Sequence, residues 1–99
     1  MDLSERFSPR ELSLRGTPRD YSTDMYRVYF EVGEHDGLAR RTIEGCLGVE
    51  RSKTLISLPY GYECEVAIQI VPEIMAALLR HNIGVYQVVR YAKTNSVWT

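Results

Sequence analysis

Residues 25 to 32, MYRVYFEV, alternate between apolar side chains and polar or amphipathic ones. Side chains two positions apart share one face of a β-strand, so this alternation predicts a strand with a single buried face. The pattern places Tyr26, Val28, Phe30 and Val32 on the buried face and Arg27, Tyr29 and Glu31 on the other. We expect the folded part of the chain to begin here.

The spacing becomes helical after the turn GEHDG, residues 33 to 37. Asp36 is placed to cap the first turn of a helix, and Gly48 is placed to end it. The apolar or small side chains that recur at helical spacing are Leu38, Ala39, Thr42, Ile43, Cys46 and Leu47. The pattern therefore predicts an amphipathic helix between these two signals.

A hairpin is predicted over residues 49 to 70. VERSKTLISL indicates a strand, PYGY at residues 59 to 62 supplies Pro and Gly for a tight turn, and ECEVAIQI forms the returning strand. In the returning strand, alternation assigns Cys64, Val66, Ile68 and Ile70 to the core and Glu63, Glu65, Ala67 and Gln69 to the opposite face.

The stretch VPEIMAALLRHNIGVYQVV, residues 71 to 89, predicts a second helix followed by the start of a last strand, VYQVVRYA at residues 85 to 92. Pro72 suits a first helical turn, and Asn82 or Gly84 can adopt the left-handed conformation that ends a helix. The predicted apolar stripe consists of Ile74, Met75, Leu78, Leu79 and Ile83.

This order of elements predicts an α+β fold of the ferredoxin-like βαββαβ type, in which two helices cover one face of a four-stranded antiparallel sheet. The predicted domain spans residues 25 to 92. Residues 1 to 24 are rich in Pro, Ser and charged side chains and are predicted to be a flexible arm or linker, with a short docked helix as the alternative. Residues 93 to 99 are predicted to be a polar tail.

Composition and charge narrow the range of partners. The formal net charge of −1, from 12 basic and 13 acidic residues, gives no electrostatic attraction to nucleic acid or to an anionic membrane. RNA binding on this fold needs aromatic side chains on the central strands, and only Tyr29 is available beside Glu63 and Glu65. No stretch approaches the roughly 20 apolar residues that span a bilayer. With no apolar signal segment at the start, we expect a cytoplasmic protein.

The sequence offers no arrangement typical of an enzyme, a metal site or a cofactor site. A nucleophile beside a base, a carboxylate pair and a phosphate-binding loop are all missing at the required spacings. Cys46 and Cys64 are predicted to be buried thiols. His35 and Asp36 are expected to be solvated loop residues, although a degenerate metal-carrier domain is a third possibility.

Seven tyrosines are many for 99 residues. Tyr29, Tyr60, Tyr62, Tyr86 and Tyr91 are predicted either to cluster at the uncovered face and hairpin tip or to be ordinary core and edge residues. The predicted interaction surface consists of Arg27, Tyr29, Glu31, Glu63, Glu65 and Tyr86. A homodimer, formed sheet to sheet or through an edge strand, is the simplest partner.

The segments YRVYFEV, a helix ending in GV, a hairpin and VPEIMAALLRHNIGVYQVV together resemble the accessory C-terminal domain of ABC-transporter ATP-binding subunits, over about residues 25 to 90. RGTPRDYS, residues 15 to 22, is similar to that family's linker, and Ile74, Leu78, Ile83 and Val85 fit its helix-to-strand pattern. The family's closing Ser-Leu-Glu-Asp-Val-Phe is replaced here by YAKTNSVWT, and no Walker motif is present.

The resemblance implies a regulatory or dimerising domain without ATPase activity. The alternative function is small-ligand sensing, because amino-acid-binding regulatory domains share this order of strands and helices. Their ligand sites lie in the loop after the first strand, which here is VGEHDGL, residues 32 to 38.

Overall fold

A computed structural model describes residues 24–97, with side chains through residue 94. Its strands and helices are β1 (Asp24–Val32), α1 (Leu38–Leu47), β2 (Ile56–Leu58), β3 (Gly61–Ala67), α2 (Val71–Arg80) and β4 (Val85–Val97). Single 3-10 turns occupy Arg51–Thr54 and Ile68–Ile70. Most of the predicted N-terminal arm, the linker-like residues 15 to 22, and Trp98 lie outside the described residues.

The four strands form one antiparallel sheet in the order β2-β3-β1-β4. β1 is central, with Tyr29 opposite Glu63 on β3 and opposite Val89 on β4. Helices α1 and α2 pack against each other and against the sheet. The mixed α+β class and the four-stranded antiparallel sheet predicted from the sequence are confirmed.

The core lies between the two helices and one face of the sheet. Val28, Phe30, Cys64 and Val66 project from neighbouring strands, and each of these side chains is 0% exposed. Residues two apart on a strand share a face, so these side chains meet the helices together. On the helix side the core contains Ala39, Ile43, Leu47, Ile74 and Leu78.

Only the end of the stretch predicted as a strand at residues 49 to 58 is a strand. Before it, Arg51–Thr54 form a 3-10 turn. The Ser52 hydroxyl donates to the Gly48 carbonyl at 2.6 Å, and the Thr54 hydroxyl donates to the Arg51 carbonyl at 2.8 Å. Such local bonds offer the backbone an alternative to sheet pairing, which explains the shorter strand.

The returning strand is also shorter than predicted, because β3 ends at Ala67 and Ile68–Ile70 turn into α2. Gln69 is therefore not on the sheet. Ala67, which alternation assigned to the uncovered face, is only 5% exposed, and Met25 beside it is only 2% exposed. This end of that face is not open to solvent.

The buried stripe of α2 differs from the prediction at one position. Leu79 is 60% exposed, whereas Ala77 is buried with Ile74 and Leu78. The small side chain of Ala77 lets α2 pack close to its neighbours. Residues two apart on a helix lie on nearly opposite sides, so Leu79 then faces solvent. Pro72 lies in the first turn and Asn82 is left-handed with φ 58°, as predicted.

Strand β4 continues to Val97, past the predicted end at Ala92. Asp24 pairs with Val97, and the ladder shifts register between Tyr26 and Val28. Polar contacts support this extension, since the Lys93 ammonium lies 3.9 Å from Asp24 and the Thr94 hydroxyl donates to the Met25 carbonyl at 3.4 Å. Mostly polar residues on an edge strand carry little periodic signal.

Candidate functional site

The face of the sheet opposite the two helices is called the open face here. Cross-strand partners share a face, so Ile56 joins Glu63 and Leu58 lies beside Gly61 on this surface. Strand pairing gives its members as Arg27, Tyr29, Glu31, Ile56, Leu58, Glu63, Glu65, Gln87 and Val89. Tyr91 is included because it acts electrostatically on Tyr29. Five of the six predicted interaction residues lie here, and the sixth, Tyr86, stands at a register shift between β1 and β4.

One row of side chains crosses all four strands at the middle of the open face. Pairing aligns Ile56 with Glu63, Glu63 with Tyr29, and Tyr29 with Val89. Ile56 is 44% exposed, while Tyr29 and Val89 are half-buried. We call this set the central row; three of its four members are apolar or aromatic.

Next to the central row, a small ion cluster joins β1 to β3. The Arg27 guanidinium lies 3.0 Å from Glu63 and 4.0 Å from Glu65. The Nη1 atom of Arg27 is buried and, among the described residues, has no acceptor at hydrogen-bonding angles, so its contact with Glu63 is electrostatic. Partly exposed pairs of this kind contribute up to about 1 kcal/mol. The cluster fixes the Arg27 side chain on the open face.

Tyr29 remains a neutral phenol at physiological pH. Desolvation, followed by the charges of Glu31 and Tyr91, raises its pKa above the usual value of 10.0. A neutral phenol can pack its ring against another protein and still donate a hydrogen bond.

The predicted tyrosine cluster is divided by the structure. Tyr91, 46% exposed, influences Tyr29 on the open face, whereas Tyr60 is 75% exposed at the hairpin tip. Tyr86, 74% exposed, lies where the β1–β4 register shifts, and a Cβ on Gly84 would come within 3.2 Å of its phenol oxygen. Tyr62 is only 8% exposed and belongs to the core. Of the two interpretations, the one that counts some of these tyrosines as ordinary core residues holds for Tyr62.

The sequence did not reveal the apolar part of the open face. Ile56 and Leu58 are 44% and 39% exposed, and they stand on a strand of three residues. Three residues are too few to establish an alternation, so only the pairing with β3 shows which way they point.

A second feature lies at the end of the sheet, where a cleft of about 350 Å³ adjoins the hairpin. Its lining includes Glu34, Leu58, Tyr60 and Tyr62. The Glu34 carboxylate accepts hydrogen bonds from the backbone N–H groups of His35, Ala39 and Arg40, at 2.8, 2.9 and 3.0 Å, and from the Tyr62 hydroxyl at 2.5 Å.

Glu34 therefore caps α1, a role that the sequence assigned to Asp36. Asp36 instead has a left-handed φ of 53° in the preceding turn. Partial burial favours a raised pKa for Glu34, but the hydrogen bonds from Tyr62 and from the backbone of Ala39, Arg40 and His35 outweigh it and lower the pKa. Burial and the bond to Glu34 raise the pKa of Tyr62 to about 12.

This bonding predicts a pH dependence of stability. A lowered pKa in the folded state stabilises the fold above the usual value of 4.5, and that contribution is lost as pH falls through the folded-state pKa. We expect Glu34→Gln to cost roughly 1 kcal/mol of unfolding free energy at neutral pH and less at pH 3. Urea unfolding of both proteins at the two pH values measures this difference. An equal cost at both values would contradict the role given to the carboxylate.

The raised pKa of Tyr62 acts at the other end of the pH range. Its contribution is complete below the usual value of 10.0 and is lost as pH rises toward about 12.

The cysteines and loop histidine are not arranged as a reactive site. Burial raises the pKa of Cys64 to about 12, and burial together with Glu73 raises that of Cys46, so both remain protonated thiols. His35 and Asp36 are exposed. Within residues 24–97, no three His, Cys, Asp or Glu side chains are grouped to hold a metal ion.

None of the helices in the described range has the length and apolar character needed to cross a membrane. No family model, curated protein or solved structure matches this chain. The chemistry of the open face must therefore be read from its own side chains, which offer apolar contact and a few fixed charges.

Proposed function

We propose that this chain is a non-catalytic protein-interaction domain of the ferredoxin-like βαββαβ plan, and that it dimerises through its open face. The strand order β2-β3-β1-β4, with both helices packed on one side, supports that plan. The observation that carries the proposed function is the exposure of Ile56, Leu58 and Tyr91 on a sheet face that neither α1 nor α2 covers.

Exposed apolar groups on a sheet favour association, because contact removes their surface from water. Tyr29 and Tyr91 add aromatic area with hydroxyls that can bond at an interface. The charged side chains argue against nucleic acid, since the open face carries the three carboxylates of Glu31, Glu63 and Glu65 but only one guanidinium, that of Arg27. A protein surface is the partner that suits this mixture.

Hydroxyl-radical labelling of the tyrosines tests the proposal. As protein concentration rises, Tyr29 and Tyr91 should lose reactivity because the dimer covers them. Tyr60 and Tyr86, 75% and 74% exposed at the hairpin tip and at the start of β4, are internal controls that should react equally throughout. Constant reactivity of Tyr29 and Tyr91, or selective protection of Tyr60 and Tyr86, would contradict the use of the open face.

Small-ligand sensing is the second candidate function, and the cleft beside the hairpin favours it. Its volume of about 350 Å³ lies in the range of small-molecule sites, and Tyr60, Leu58 and Val32 give it apolar walls. A sensor predicts a rise in melting temperature with one member of an amino-acid panel, and that rise should be lost in Tyr60→Ala. The accessory-domain role in an ABC transporter stays a prediction.

A further inference from the structure

We infer that the two copies pack face to face with their β1 strands antiparallel, about a two-fold axis at Tyr29. This inference rests on the proposed function and specifies how the open face recognises a second copy. It is carried by the placement of Arg27 and Glu31 on either side of Tyr29 on the same strand face.

A two-fold interface brings residue i against residue j of the partner, and residue j against residue i. When the axis crosses the strands at Tyr29, the residue two positions before it meets the residue two positions after it. Arg27 then lies against the partner's Glu31, and Glu31 against the partner's Arg27. Arg27 can also donate to the partner. A guanidinium has five N–H groups, and within one copy Glu63 lies near Nη1 and Glu65 near Nη2.

The same operation also pairs the rows that flank the central row. Glu65 is level with Arg27 on the open face, and Gly61 is level with Glu31. Glu65 therefore lies over the position of the partner's Gly61, which is itself buried. On the other side, Gln87 pairs with Glu31 and meets the partner's β4 beyond Val89, in the segment that contains Tyr91.

The central row meets its own copy. Ile56, Tyr29 and Val89 each face their equivalents, which gives three apolar or aromatic contacts along the axis. Glu63 also faces its equivalent, but each carboxylate lies 3.0 Å from the Arg27 of its own copy. That guanidinium reduces the repulsion between the two carboxylates.

Other arrangements of two copies place further like charges together, whereas the antiparallel arrangement has the Glu63 pair alone among the residues of β1 and β3 named above. An axis parallel to the strands would set Arg27 against the partner's Arg27 and Glu31 against the partner's Glu31. Pairing of two β4 edges would bring Arg90 and Lys93 together. The carboxylate of Asp24 on β1, 3.9 Å from Lys93, balances one of these charges, but β4 itself contains no carboxylate to balance Arg90. Like-charge contacts disfavour such partners, so charge selects the antiparallel arrangement.

A charge exchange between two variants tests this geometry. Glu31→Arg alone should weaken self-association at least about tenfold, because each Arg27 then faces a guanidinium at position 31 of the partner. Glu31→Gln, which removes the attraction without adding repulsion, should weaken it less. Mixed with Arg27→Glu, the Glu31→Arg protein should form a heterodimer in preference to either homodimer, since both contacts become opposite in charge. Native mass spectrometry separates the three dimers by mass.

Arg27→Glu places a third carboxylate beside Glu63 and Glu65, so its fold is checked by circular dichroism. If it unfolds, Arg27→Gln takes its place, and the mixture with Glu31→Arg should still favour the heterodimer. If heterodimers made up only half of all dimers, the fraction that random pairing gives, the inferred arrangement would be wrong. If Tyr29 and Tyr91 remain protected in the wild type, that result leaves the proposed function intact. A wild type that stays monomeric would overturn both.

Discussion

Gly61→Ala is expected to prevent stable folding. Gly61 lies opposite Glu31 in the β1–β3 ladder, and a Cβ at this position would overlap the backbone carbonyl of Phe30. The obstacle is the backbone of the central strand, so no side-chain rotation can relieve it. We expect a loss of roughly 3 kcal/mol or more of unfolding free energy, measured by urea denaturation.

Gly45→Ala is the matched control for this substitution. Gly45 lies on the exposed side of α1, and a Cβ there would meet nothing within 4 Å. Alanine in a helix interior is favoured over glycine, so this variant should gain about 0.5 to 1 kcal/mol. If Gly61→Ala unfolded at the same urea concentration as the wild type, β3 would not approach β1 this closely.

Tyr29→Lys is expected to abolish dimerisation while leaving the domain folded. Tyr29 is half-buried on the open face and is not part of the core, so the fold does not depend on its ring. Lysine would remove the central aromatic contact and place two ammonium groups together at the two-fold axis. Loss of a central aromatic contact together with new charge repulsion should raise the dimer Kd by more than about 100-fold.

The control for Tyr29→Lys is Leu79→Lys, which adds the same charge elsewhere. Leu79 is 60% exposed on α2, on the other side of the molecule from the open face. Sedimentation equilibrium should give this variant the Kd of the wild type. If the two lysine variants associated equally well, the open face would not be the contact surface.

The central part of the fold could be predicted because its sequence pattern is long and consistent. In β1, alternation over eight residues correctly placed Val28 and Phe30 in the core and Tyr29 on the open face. Gly48, with φ 84°, and Asn82, with φ 58°, ended their helices as expected because few other residues tolerate that conformation.

The parts that could not be predicted depend on contacts between distant residues. Glu34 caps α1 only because the turn and Tyr62, 28 positions away, place donors around its carboxylate. The turn at Arg51–Thr54 replaces a strand because side-chain hydroxyls bond to nearby carbonyls. Neither effect leaves a periodic signal in the sequence.

The sequence predicted the open-face residues of β1 and β3 but not those of β2. Arg27, Tyr29 and Glu31 followed from the phase of β1, but Ile56 and Leu58 needed the observed pairing of β2 with β3. Tyr86 was predicted on the same surface, and it lies at a register shift between Val85 and Gln87 that no periodicity in the sequence reveals.

Sedimentation equilibrium of the wild type is the most direct test that the open face binds a second copy. The average mass should rise with concentration from that of one 11.4 kDa chain toward twice that value. If the average mass stayed at that of one chain up to concentrations on the order of hundreds of micromolar, where even a weak dimer forms, the proposed function would be contradicted.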